Sequence, residues 1–456
     1  MRLTAAANAL YMYHECSAPP VHLIRVARNV RCAVDSIEKL GRLLLTMAMV
    51  RPDKRRRIMA AVLPDDLLLS EVLVHLPVKS LALFKSVCRS WRAGIADPAF
   101  VRRHLQLSRA RRPPTALAIA REVDTDDGFA TSGEISFHRL LLLPGPAAAP
   151  QTAELMLDKA WPEGITRLIS PAHCDGLVAV ATPTDSVFVC NPATGEFVAL
   201  PPATHNAETD HRDELLVPPV ALGFDQWRNR YVIARYFYRR YGEIFFDEET
   251  GEYTQDYDIG HEVFTLGAGG SWERTEDPPH AVGPQRPMRT RRAFYWHADV
   301  PRPRLLRFGL QDRTFDVVPR PPTGWNSVDA MTELDDGKLL CYVHAAGDAS
   351  FQVWLADDDA PTLRWSLRCR IDVPDASPNT VYNLMPVMAG GDEDELVAAV
   401  GNKLCRCNVR RGAMEEVVDM ANELWYARQD RSKRTYKSCI SEHHLVPYIE
   451  SLVSIS

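Results

Sequence analysis

The stretch Val187-Phe-Val-Cys-Asn-Pro-Ala-Thr-Gly-Glu-Phe-Val-Ala-Leu200 is an apolar run, a polar turn and a second apolar run. Short runs of Val, Phe and other apolar residues on either side of a Pro- and Gly-containing turn predict two strands joined tightly. The pattern recurs from His261 to Trp272, Arg304 to Val318, Phe351 to Trp365 and Lys403 to Val418. The five starts are separated by 74, 43, 47 and 52 residues. Three of those spacings lie close to a repeat of about 40–50 residues, in which each repeat is one supersecondary unit.

Further strand patterns lie between the hairpins: Cys174-Asp-Gly-Leu-Val-Ala-Val180, Arg292-Ala-Phe-Tyr-Trp296 and Gly337-Lys-Leu-Leu-Cys-Tyr-Val343. Two strands and a hairpin make a four-stranded propeller blade. Residues 115–456 are therefore expected to form a large all-β domain, a β-propeller-like repeat fold whose blade number the degenerate repeats leave open. A sandwich-like or irregular β-fold is the alternative. The widest gap contains Leu222-Gly-Phe-Asp225, Tyr231-Val-Ile-Ala-Arg-Tyr-Phe237 and an acidic, aromatic stretch from Asp247 to Asp258 that reads as a long loop. Within it, Asp247 to Tyr257 is either a target-binding loop or a solvated acidic insertion.

Ahead of this domain the composition changes. The 456-residue chain has a net charge of −6 and 46% hydrophobic residues, enough to bury a core and no overall case for a nucleic-acid binder. The charge is uneven: residues 1–112 carry +12 and the remainder −18. Arg111-Arg112-Pro113-Pro114 marks a boundary, since a double proline after a charge run cannot continue a helix. Prolines (33) outnumber glycines (24), which favours many short segments over long helices.

Leu63 to Leu105 is patterned differently, with apolar residues at helical spacing. Pro64 with Asp65 and Asp66 opens a first helix bearing Leu67, Leu68, Val72, Leu73 and Leu76, and Pro77 ends it. Lys79 to Phe84 forms a second helix, Ser86 to Ile95 a third, and Asp97-Pro98 caps a fourth. This small all-α module spans residues 59–106, followed by a linker at 107–114. It holds more large apolar residues than so few helices can enclose, which points either to a partner interface or to packing on the rest of the chain.

In order, Leu63-Pro64, Leu73, Leu76-Pro77-Val78-Lys79-Ser80-Leu81 and Phe84-Lys85-Ser86-Val87-Cys88-Arg89-Ser90-Trp91 closely resemble an F-box. The resemblance implies docking to a Skp-family adaptor and through it to a cullin, in an SCF-type ubiquitin ligase. It places Leu63, Pro64, Leu76, Pro77, Val78, Leu81, Val87, Cys88 and Trp91 at or just behind the adaptor interface, although Trp91 could equally be the module's own core. The β-rich part is similar to the F-box-associated domains of large plant F-box families, through Cys174-Asp175-Gly176-Leu177, Cys190-Asn191-Pro192-Ala193-Thr194-Gly195-Glu196, Leu222-Gly223-Phe224-Asp225 and Tyr448-Ile449-Glu450-Ser451-Leu452-Val453. That implies a propeller-like domain recruiting a protein target, in a subunit that performs no catalysis and needs no cofactor.

Residues 1–58 are a basic leader, expected to be disordered. An Arg-rich transit peptide and a nuclear-import patch at Lys54-Arg55-Arg56-Arg57 are other readings, and Met59-Ala60-Ala61-Val62-Leu63-Pro64 looks like a natural start. Ten scattered cysteines show no disulfide framework, and no apolar run is long enough to span a bilayer. The expectation is a cytoplasmic or nuclear protein, neither secreted nor membrane-bound. Walker, His-Glu-x-x-His and Gly-x-Ser-x-Gly signatures do not occur. Cys405-x-Cys407 with His443-His444 fits no zinc spacing and reads as strand cysteines. A propeller enzyme and a small-ligand sensor feeding a ligase are the rival functions.

Overall fold

The computed structural model describes residues 65–110, 115–122, 132–142, 151–165, 170–182, 184–208, 217–324, 326, 328–334, 337–347, 349–359, 362–373, 384–389, 395–430, 432–435 and 441–455. The expected leader and its alternative start lie outside them. The chain divides into two compact units between Ala110 and Arg111.

The first unit is helical: α1 (Asp65–Glu71), a 3-10 turn (Leu73–His75), α2 (Val78–Phe84), α3 (Arg89–Ala96) and α4 (Pro98–Arg109). α4 runs into the stretch assigned from sequence as linker 107–114. Asp97 caps α4, its Oδ1 accepting from the amides of Ala99 (2.7 Å) and Phe100 (3.3 Å), with Pro98 in the first turn. α3 starts three residues later than the sequence suggests. Ser86 and Val87 extend the end of α2 through bonds to Leu83 and Phe84, and the Cys88 thiol then caps the new helix by accepting from the Trp91 amide. Leu73, Val74, Val78, Leu81, Trp91, Ile95, Phe100 and Leu105 form the buried interior. His104 is fully buried, and its Nε2 donates to the Leu76 carbonyl at 2.9 Å, fastening α4 to the turn ahead of α2.

The second unit is a six-bladed β-propeller. Blade 1 comprises Ser170–Cys174, Leu177–Ala181, Val187–Asn191 and Glu196–Ala199, and blade 2 comprises Ala221–Asp225, Arg230–Asp247, Glu252–Thr265 and Glu273–Arg274. In blade 3, Ala293–Val300, Arg304–Gly309 and Phe315–Val318 follow Met288–Arg289 and Ala281–Val282, which share one edge. Blade 4 is Ala330–Leu334, Leu339–Ala345, Ser350–Asp357 and Ser366–Asp372; blade 5 is Leu384–Ala389, Glu395–Val400, Lys403–Asn408 and Ala413–Asp419. Blade 6 joins the two ends of the domain. Ser441–Tyr448 is its inner strand and pairs antiparallel with Thr115–Glu122, which continues to Ser132–Leu141 and Thr152–Ile165. The inner strands touch in cyclic order around the six blades, so the ring closes.

The repeats from Val187, Arg304 and Lys403 span the outer hairpins of blades 1, 3 and 5, whereas those from His261 and Phe351 hold the third strand and turn of blades 2 and 4, whose fourth strands begin just beyond them at Glu273 and Ser366. Second strands such as Leu177–Ala181 are buried along their whole length because a neighbouring blade covers each face, whereas outer strands such as Ser366–Asp372 are mostly exposed and charged. Apolar seams join the blades: Tyr236, Tyr238, Phe294, Trp296 and Phe308 between blades 2 and 3, and Val343, Phe351, Ala398 and Cys405 between blades 4 and 5. The seam of blades 1 and 2 carries a polar network. Arg235 is 2% exposed, lies 2.6 Å from Asp185 and 3.6 Å from Glu262, and Glu262 accepts from Thr204 at 2.6 Å.

One expectation is corrected. Asp247 to Asp258 is no loop but the far end of a hairpin whose ladder runs from Glu252 opposite Asp247 to Thr265 opposite Val232. The Asp247 carboxylate accepts from the amides of Glu249 and Thr250, and Gly251 takes the left-handed conformation (φ 66°) that closes the turn. Bulges near Gln255 and Asp258 bend the ribbon. Its acidity belongs to a solvated strand pair and its aromatics to the pleat.

Candidate functional site

The residues assigned to the adaptor interface separate into three groups. Leu63 and Pro64 lie outside the described residues. Val78, Leu81 and Trp91 are buried inside the helical unit, Trp91 meeting Phe84 edge to face at 5.5 Å. Leu76, Pro77 and Cys88 are half-buried, while Val87 is 46% exposed. The structure adds Leu83 at 59% exposure and Leu67 at 48%; Leu67 was read from the sequence as part of the apolar face of the first helix, and neither was assigned to the interface. On α2, Leu83 lies out of phase with the buried Val78 and Leu81, and that phase was the available signal. Apolar side chains left on the surface beside a filled core are what a partner interface requires.

In the propeller, the four sequence echoes act as fasteners. Asn191 is fully buried; its Nδ2 donates to the carbonyls of Ser451 (3.2 Å) and Val453 (2.7 Å), and its Oδ1 accepts from the Ala193 amide. Ser451 Oγ donates to the Asp175 carbonyl at 2.6 Å. Gly176 has φ 86°, and a Cβ there would lie 2.4 Å from the Ile449 carbonyl oxygen. Glu196 receives Ser454 Oγ and the Ile455 amide. The segment after the last strand is thereby stapled to blade 1, locking the ring where its two ends meet. Asp225 similarly holds the amides of Trp227 and Arg228 and the Arg228 guanidinium, which reaches the Leu310 and Gln311 carbonyls of blade 3.

Cys405 and Cys407 sit in the blade 5 strand Lys403–Asn408. Burial pushes their thiols up to about 11 and about 12, which keeps them protonated and opposes metal ligation. Among the described residues no group of three or more His, Cys, Asp or Glu is placed to hold a metal ion. No helix among them is long and apolar enough to cross a membrane.

The most conspicuous apolar surface of the propeller is the tip of the blade 2 hairpin. Phe245 is 60% exposed, Phe246 54% and Ile244 42%. Acidic Glu243, Asp247, Glu248 and Glu249 flank them. The shorter first and fourth strands pair only near the base of the hairpin, so its outer part is a two-stranded ribbon.

Comparison with known proteins agrees with this division. An F-box domain model matches residues 62–103, and a model described as F-box associated beta propeller domain matches residues 151–406. The Arabidopsis thaliana protein At3g52320, named for an F-box, is 24% identical over 377 residues, covering 79% of this chain and 87% of its own. Another, At3g21120, is 29% identical over 175 residues, so that the chain spans only 43% of that relative's length. Among solved structures, TolB of Acinetobacter baumannii aligns over 72% of this chain and 69% of its own, with 12% identity and a TM-score of 0.40. The propeller model alone covers more than half of the sequence, and the chain belongs to the family of F-box proteins that carry an F-box associated beta propeller domain.

Proposed function

We propose that this chain is the substrate-receiving subunit of an SCF-type ubiquitin ligase. The F-box docks a Skp-family adaptor and through it a cullin, while the propeller holds a protein target. The observation that carries the reading is the apolar residues left on the helical unit's surface: Leu83 and Val87 exposed, Leu76 and Pro77 half-buried at the turn ahead of α2, with a core already filled by Val78, Leu81 and Trp91. Residues of the first kind would contact the adaptor; Val78, Leu81 and Trp91 would shape the surface from behind. The chain itself performs no bond chemistry in this reading. It raises the effective concentration of the target's lysines near a conjugating enzyme carried by other subunits. Such work belongs in the cytoplasm or nucleus.

The target-docking element we favour is the blade 2 hairpin tip, where exposed Ile244, Phe245 and Phe246 lie among carboxylates, a surface suited to a basic segment with apolar anchors. Co-precipitation with a Skp-family adaptor tests the docking half. Leu83→Glu should abolish capture without disturbing the fold, because the side chain is exposed, and Leu76→Ala/Pro77→Ala should reduce it strongly. Undiminished capture by both variants would remove the mechanism. For the target half, adaptor-based purification under proteasome inhibition should recover proteins that Phe245→Ser/Phe246→Ser loses.

A further inference from the structure

Lysine is among the commonest residues of soluble proteins, yet this chain has 9 lysines against 44 arginines. Over residues 115–456 the numbers are 5 and 28. Some of these arginines make contacts that need a guanidinium. Arg228 spans Asp225 and the carbonyls of Leu310 and Gln311, and Arg239 joins Asp258 to Asp277. Others do not. Arg230, Arg364, Arg370 and Arg411 are exposed, and their side chains make no hydrogen bond or ion pair among the described residues. An ammonium would serve there equally well, so contacts do not explain the choice.

Four of the propeller lysines are described, and Lys437 lies outside the described residues. Lys159 is half-buried, its Nζ 5.9 Å from the centre of the Phe197 ring. Lys338, Lys403 and Lys433 are exposed. Lys403 lies 2.8 Å from Glu416, whose carboxylate holds the ammonium above its usual value, and Lys433 donates to Thr152 Oγ1. In the helical unit, Lys79 stands one turn from Leu83 on α2, on the side assigned to the adaptor.

The acceptor in ubiquitin transfer is a neutral primary amine. Its nitrogen attacks the carbonyl carbon of a ubiquitin thioester on the conjugating enzyme. A C–N bond forms as the C–S bond breaks, and the leaving cysteine sulfur takes up the proton that the amine loses. Lysine supplies such an amine; a guanidinium stays protonated and does not. A receptor subunit is held beside the conjugating enzyme whenever its target is, so its own lysines compete at a similar effective concentration.

We propose that the propeller is a poor acceptor of ubiquitin: arginine carries its surface positive charge, so the ligase spares its receptor and modifies the bound target. This rests on the ligase reading above and adds how such a ligase tells receptor from target. Whatever set the composition, its consequence is chemical.

The test is ubiquitin transfer reconstituted from the full chain, a Skp-family adaptor, a cullin and a charged conjugating enzyme. Wild type is compared with Arg230→Lys/Arg364→Lys/Arg370→Lys/Arg411→Lys, which keeps every charge and should melt at the same temperature. The four changes add to three exposed amines among the described propeller lysines, so self-modification of the propeller should rise about twofold or more. Peptide mass spectrometry should find ubiquitin remnants at the new lysines. Equal modification of the two proteins in an assembled complex, or none at the new lysines, would overturn the proposal and leave the ligase reading standing. Failure of both proteins to capture the adaptor would overturn that reading, and this one with it.

Discussion

Replacing Asn191 by Ala tests how the ring is held shut. The amide is fully buried and is the sole described side chain donating to both the Ser451 and Val453 carbonyls. Alanine strands those two acceptors and releases the Ala193 amide that Oδ1 had fixed. At roughly 1–2 kcal/mol for each buried carbonyl left without its donor, the loss is about 2–4 kcal/mol. With an unfolding entropy of about 2.1 cal/mol/K per residue over the roughly 350 residues from Arg111 to Ser456, this corresponds to a fall in Tm of about 3–6 °C. Ser451→Ala removes the bond to the Asp175 carbonyl in the same fastener, so the double variant should lose less than the two singles together. Thermal denaturation reads the size, and hydrogen exchange of residues 449–455 reads the place. A fall below about 1 °C with unchanged protection of that segment would refute the fastening role.

Gly176→Ala should cost roughly 2–5 kcal/mol, combining a left-handed backbone with a Cβ driven onto the Ile449 carbonyl; chemical denaturation measures it. Arg235→Met should cost roughly 3–5 kcal/mol by leaving Asp185 and Glu262 buried without their cation, and adding Asp185→Asn and Glu262→Gln should recover part of it. The propeller should also weaken in acid. Burial holds His261 and His297 near about 3 and His138 near about 4, below the usual 6.5, so the unfolded chain takes up their protons first. Stability is full above about pH 6.5 and falls as pH drops towards 4, by up to about 1.4 kcal/mol per pH unit for each ring. Urea midpoints against pH measure this, and His261→Gln should reduce the slope by one proton.

The repeats were legible because each outer hairpin is local: Val187 to Leu200 contains both of its strands and their turn. Blade 6 was not, because its inner strand at Ser441–Tyr448 pairs with Thr115–Glu122 across more than 300 residues, and no contiguous segment carries the pattern. The stretch from Asp247 to Asp258 was misread because acidic residues at a solvated ribbon tip resemble loop composition, while the alternation that makes them strand needs a partner ladder to be seen. In the helical unit, periodicity marked an apolar face without saying what covers it. Val78, Leu81 and Trp91 face inward, Val87 faces solvent, and the exposed Leu83 escaped notice. The echoes of Asn191 and Gly176 suggested a family; only the folded chain shows them meeting the segment from Ile449 to Ile455.

The central claim is that the surface around Leu83 and Val87 is an adaptor-docking face. Its most direct test is the affinity of a purified Skp-family adaptor for the wild-type chain and for Leu83→Glu/Val87→Glu, with circular dichroism confirming that both are folded. The account predicts saturable binding by the wild type and a loss of at least about a hundredfold in the variant, equivalent to about 2.7 kcal/mol at an apolar hot spot. Equal affinity in the two folded proteins would contradict it.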